Sequence, residues 1–178
     1  MIKSEIHSLF KSVQVPKYLD QKIQELALEI LDLKDMGKLR DTFDAQRFYD
    51  SLRNSVRSEY ALKKHLGLNF NLDEIKNRVE PSVLYEFNDR GCKIVPFSSN
   101  ELPKIPVDQA IPLLMVYLKP EKYAYVGAVI TNEQVEKIIR TNQSSTLLVD
   151  LSSTEFNNIN SWKYFDNEKE LRTILGEE

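Results

Sequence analysis

The chain has 178 residues, 42% of them hydrophobic and 29% charged, with a formal net charge of −3. These values fit one folded domain large enough to bury a core, exclude a disordered chain, and leave no basic surplus that would mark a nucleic-acid binder by charge alone. The single cysteine, Cys92, excludes an intramolecular disulfide framework, and two isolated histidines, His7 and His65, offer no zinc-ligand spacing.

Residues 2–13 read as a short helix. Pro16 suits the first turn of a second helix, where its missing N–H costs nothing. Leu19, Ile23, Leu26, Ile30 and Leu33 then recur at three- and four-residue steps, which gives one apolar stripe, and Gly37 is its expected stop. A third helix is expected from about Asp44 to Leu66, with Phe48, Leu52, Val56 and Tyr60 every fourth position and Gly67 as its terminator. Its other faces carry Arg47, Asp50, Arg53, Asn54, Arg57, Glu59, Lys63 and Lys64, which read first as a solvated charged face and alternatively, for some of them, as facing a substrate groove. A short helix over 72–78 follows.

The pattern then changes to β. VLYEF (83–87) and CKIVPF (92–97) are rich in β-branched and aromatic residues, and the Asn-Asp-Arg-Gly between them has hairpin turn chemistry. Beyond a proline-punctuated loop, LLMVYL (113–118) and YAYVGAVI (123–130) are nearly continuous apolar runs, as strands covered on both faces require. Thr131 or Asn132 caps a helix over EQVEKIIR, STLLVDL (145–151) returns as a strand, SSTEFNNI reads as a short helix, and an acidic tail ends the chain. The expected fold class is α/β (α+β), with a central mixed β-sheet flanked by helices. Residues 1–40 are expected as a helical N-terminal extension and residues 41–178 as the mixed α/β domain, with the alternative that the first helices pack on the sheet and the two make one compact unit. The apolar run IPLLMVYL is too short for a membrane span and no segment resembles a secretion signal, so a cytoplasmic protein without membrane contact is expected. Five scattered glycines make neither common phosphate-cradling loop.

Within NSVRSEYALKKHLGL, Asn54, Arg57, Glu59, Leu66 and Gly67 stand in the arrangement N-x-x-R-x-E, six residues, L-G. FNDRGCKIV, YVGAVITNEQVEKIIR and STLLVDL follow in order. On these segments, residues 45–157 resemble the restriction-endonuclease-like superfamily, whose signature is PD-(D/E)XK. The resemblance implies a nuclease fold and a centre in which carboxylates hold Mg²⁺ and a Glu-x-Lys strand supplies a ligand and a cation near the attacking water. Asp89 matches the strand aspartate and Glu59 the helix glutamate. The strand that should carry Glu-x-Lys reads Cys92-Lys93-Ile94, so its glutamate is missing and the motif is broken. Glu74-Ile75-Lys76 has the right letters, but on a helix the two side chains diverge by about 200°.

Three functions follow in order of expectation. The first is a nuclease-fold-like protein with an inactive centre, acting as a nucleic-acid- or protein-binding component with no cofactor. The second is an interaction protein unrelated to nucleases, with the Leu19–Leu33 stripe as a partner or homodimer face. The third is an active Mg²⁺-dependent nuclease with a rearranged centre. There Glu59, Glu86 and Asp89 are the metal ligands, and Glu59, Asp89 and Lys93 the catalytic set. For Asp89 the plain alternative is a turn residue bonding its own backbone. For Glu59 it is an ion pair with Lys63. Arg57 and Lys93 are candidate phosphate contacts or surface cations. Tyr117, Tyr123 and Tyr125 read as core residues, Trp162 as a lid on the core or an interface anchor, and Cys92 as a small buried residue.

Overall fold

The computed structural model describes residues 2–77, 85–87, 91–101, 103–106, 110–120, 122–141, 148–150 and 159–176. The elements run α1 (Ile2–Leu9), β1 (Lys11–Gln14), α2 (Lys17–Leu31), α3 (Met36–Arg40), α4 (Phe43–Leu66), α5 (Leu72–Lys76), β2 (Glu86–Phe87) and β3 (Cys92–Phe97). There follow β4 (Lys104–Pro106), β5 (Leu113–Leu118), β6 (Tyr123–Ile130), α6 (Asn132–Thr141), β7 (Leu148–Asp150), a 3₁₀ turn (Ile159–Ser161), β8 (Lys163–Tyr164) and α7 (Glu168–Ile174).

The unbroken apolar run of β5 is buried at every position. It lies between β3, to which it is parallel, and β6, to which it is antiparallel. Among the described residues these strands belong to one mixed six-stranded sheet ordered β1-β6-β5-β3-β2, with β8 also on β6, while β4 and β7 form a separate antiparallel pair. Alternating side chains feed two cores. Ile94, Leu114, Val116 and Val126 join the core built with α2 and α4. Val95, Met115, Tyr117 and Tyr125 join a second, with Ile6 of α1, Val135 of α6 and Trp162. Tyr117, Tyr125 and Trp162 are core residues, whereas Tyr123, expected with them, opens β6 at the surface with 40% exposure.

On β6 the alternation breaks. Ala124 and Val126 enter the α4-side core, yet Ala128 and Ile130 enter the other one. An extra residue flips the strand over, and the pairing register with β5 shifts at the same place, between Met115 and Tyr117. Gly127 sits at this bulge with φ +108°, a conformation that side chains disfavour. The bulge also divides the outer edge of β6. β1 pairs with residues 123–126 and β8 with 128–129, and the Phe165 N–H donates to the Gly127 carbonyl at 2.8 Å.

Several expected boundaries move. The first segment is not helical throughout, because Val13 and Val15 bury on alternate positions and Lys11–Gln14 adds a strand to the main sheet. The second helix ends at Leu31, six residues before Gly37. Asp32 takes the left-handed conformation (φ 53°) in glycine's place, and Leu33 N–H closes back on the Leu28 carbonyl at 2.9 Å. Asp35 then accepts from Lys38 N–H at 2.9 Å and opens α3, so Gly37 lies inside a helix. The stripe proposed as a partner face is consumed within the chain: Leu19, Ile23 and Leu26 are core residues, with Ile30 and Leu33 packed against them. Thr131 makes a reciprocal capping box with Gln134, at 3.0 and 3.3 Å. The expected strand over 145–151 is described at Leu148–Asp150, where it pairs with β4 and not with the main sheet. The expected helix at SSTEFNNI lies mostly outside the described residues. The tail instead carries β8 and α7.

A Cβ at position 127 would stand 3.1 Å from the Phe165 carbonyl oxygen, on top of the backbone strain. Gly127→Ala is therefore expected to lose about 2 kcal/mol or more of stability in urea unfolding. An unchanged midpoint would contradict the bulge as a structural requirement.

Candidate functional site

The solvated face expected on α4 is interrupted in the helix's second half, where Lys64 stays exposed. Residues 55–59 are buried without interruption, with Arg57 2% and Glu59 1% exposed. Pattern reading failed here because α4 is covered on more than one side: α2 and α3 pack against it, as do β1, β3 and β6. Arg57 donates from Nη2 to the Lys119 carbonyl at 2.8 Å, and Arg53, one turn earlier, reaches the Pro120 carbonyl at 3.3 Å. Both carbonyls belong to the segment that joins β5 to β6. Asp20 of α2 stands 3.6 Å from Arg53 Nε. Burial pulls the Arg57 pKa below its ordinary value, the Arg53 charge adds to this, and Asp20 opposes it. Arg57 is thus neither a surface cation nor a phosphate contact. It ties α4 to the turn.

Of the predicted site residues, Glu59 pairs with Lys63 at 3.9 Å, and Lys63 also reaches Glu74 at 3.5 Å. Lys76 binds Glu29 of α2, so Glu74 and Lys76 diverge as their helical setting requires. Across the β2–β3 hairpin, Phe87 faces Cys92 and Glu86 faces Lys93. Phe87 and Cys92 enter the α4-side core. By the two-residue period of a strand, Glu86 and Lys93 project from the opposite face. The sheet therefore stands between Glu59 and the Glu86–Lys93 pair. Asp89 lies outside the described residues. Among the described residues no three histidine, cysteine or acidic side chains gather closely enough to hold a metal ion. Glu59 and Glu86 do not fit a shared Mg²⁺ centre of the kind the resemblance implies.

What the structure brings together instead is a cleft of about 340 Å³ where the first half of α4 overhangs the carboxyl ends of β3 and β5. Ligands of open α/β sheets favour this end of parallel strands. Arg47, Asp50, Ser51 and Asn54, on successive turns of α4, form one wall. Pro96 and Leu118 supply apolar surface, Phe97 borders the cleft while its ring packs in the core on the other face of the sheet, and Ser98 and Glu101 stand beyond the end of β3. Pro96 is tolerated inside a strand because the register turns the alternate residue Ile94 toward β2, where its N–H donates to the Tyr85 carbonyl. The missing N–H of Pro96 points to that same side, away from the β5 ladder. Tyr85 closes the cleft, its hydroxyl donating to the Ser51 carbonyl at 3.1 Å. Burial raises the Tyr85 pKa, and the nearby Glu101 charge works in the same direction. Sequence reading named Arg47, Asp50 and Asn54 as facing either solvent or a groove, but Tyr85 and Glu101 carry no local signal. Comparison of the chain with protein-family models, curated proteins and solved structures finds no match.

Two measurements check these placements. Arg57→Ala is expected to lose at least about 2 kcal/mol, from a lost buried hydrogen bond and an unfilled cavity. Arg53→Ala, at a half-exposed site, is expected to lose under about 1 kcal/mol. Equal losses would contradict the buried anchor. Tyr164, whose hydroxyl donates to the Ile159 carbonyl at 2.7 Å, has its pKa raised by burial and by Glu5. Phenols with raised folded-state pKa values contribute stability that is complete below the unfolded value near 10 and lost as pH rises through the folded values. Thermal unfolding of Tyr85→Phe/Tyr164→Phe is accordingly expected to fall less steeply above about pH 10 than that of the parent chain.

Proposed function

We propose that this chain is a non-catalytic binding component on a nuclease-like α/β scaffold, and that its partner is a protein. The observation that carries the reading is the polar cleft at the carboxyl ends of β3 and β5. Its charged walls hold two carboxylates against one guanidinium, and the whole chain is net negative. A phosphate backbone would be repelled by both, whereas a protein surface can match a mixed cleft. The separation of Glu59 from Glu86 and Lys93 gives no support to metal-dependent phosphodiester cleavage.

The test has two arms. Supercoiled plasmid and single-stranded RNA incubated with the chain and Mg²⁺ or Mn²⁺ are expected to stay intact, and a random peptide display is expected to yield binders that are lost on Asn54→Trp, which fills the cleft. Metal-dependent cleavage abolished by Asp89→Ala would overturn the reading in favour of a nuclease. A display that selects no binder would overturn it as well.

A further inference from the structure

We propose that the cleft takes a long basic side chain, lysine or arginine, presented by the partner protein. The inference rests on the binding reading above and deepens it. The cleft has two kinds of surface, and they suit the two ends of such a side chain. Pro96 and Leu118 give apolar contact for the methylene stem. Asp50, Glu101 and Asn54 give acceptors for a charged head at the mouth.

The charges already in place favour a cation. Arg47 is the third charged residue of the walls, and its guanidinium lies over the Phe43 ring at 5.5 Å, toward the start of α4. Asp50 accepts a hydrogen bond from Gln46 Nε2 at 3.1 Å, which leaves its carboxylate with further acceptor capacity. The backbone of Glu101 is fixed by reciprocal bonds with Ser98, at 3.1 and 3.4 Å, so its side chain starts from a held position at the cleft edge. The Tyr85 hydroxyl spends its proton on the Ser51 carbonyl and can only accept from a ligand.

Other ligand chemistries meet a penalty. An anion would gain Arg47 and face both carboxylates. An apolar group would strip water from Asp50 and Glu101 and return no hydrogen bond. A cationic head replaces that water with charge-assisted bonds, and its stem covers the apolar floor.

The test is titration of the isotope-labelled full chain, followed by amide resonances, with N-acetyl-arginine amide and N-acetyl-lysine amide. N-acetyl-glutamate amide and N-acetyl-norleucine amide serve as charge-reversed and neutral probes. The cationic probes are expected to shift the Asn54, Phe97 and Glu101 amides saturably. Affinity is expected to fall about tenfold or more in Asp50→Asn/Glu101→Gln, whose exposed sites leave the fold intact. Preference for the glutamate probe, equal response to norleucine, or no localised shift with either cationic probe would each overturn the inference. Displayed peptides that bind the cleft without any lysine or arginine would overturn it while leaving the binding reading in place.

Discussion

The guanidinium of Arg57 meeting the carbonyl of Lys119 is the contact on which the arrangement of this protein depends. Apolar stripes alone leave a long helix some freedom to slide or roll, because dispersion and burial are non-directional. A buried charged group has no such latitude. Desolvation makes it costly everywhere except where its donors meet an acceptor. With Arg57 on the β5–β6 turn and Arg53 beside it, α4 takes one position along the sheet. That position carries the helix's earlier turns over the ends of β3 and β5, so the cleft wall formed by Arg47, Asp50 and Asn54 is a consequence of the anchor two turns further on.

The sheet beneath is shaped by a second local constraint. A strand that kept strict alternation past Gly127 would send Val129 to the wrong core and Ala128 and Ile130 against α4. The bulge swaps the faces midway. It also lets two short segments from opposite ends of the sequence share one edge of β6, so no long unpaired edge is left there. Chain entry and chain exit are joined at this point, since Phe165 closes on Gly127 while Lys11 and Asp166 pair across the surface at 3.4 Å.

Long, strongly patterned elements were legible in the sequence. The 24-residue α4, the apolar β5 and β6 and the hairpin at Glu86–Lys93 each carry their signal in neighbouring residues. β1 and β8 have four and two residues, too few for periodicity to speak. The signal for α7 is present in the sequence as Asn167 three residues before Glu170, since Asn167 caps the helix by accepting from Glu170 N–H while Glu170 accepts from Asp166 N–H, but the acidic composition of the tail masks it. The burial of Arg57 and Glu59 was not legible, because a charged residue is normally a surface residue and only tertiary packing reverses that. The cleft was illegible for a different reason. Its walls come from residues 47–54, 85, 96–101 and 118, and no local window spans them.

The non-catalytic half of the functional reading turns on the sheet lying between Glu59 and the Glu86–Lys93 pair. A nuclease centre gathers its carboxylates around a cation within direct ligand distance, whereas a scaffold has no such requirement. Titration of the labelled chain with Mn²⁺ tests this directly, because the ion broadens nearby amide resonances steeply with distance. The account predicts that no single low concentration of Mn²⁺ broadens the amides around Glu59 and those around Glu86 and Lys93 together. Joint, saturable broadening of both groups, removed by Asp89→Ala, would contradict it.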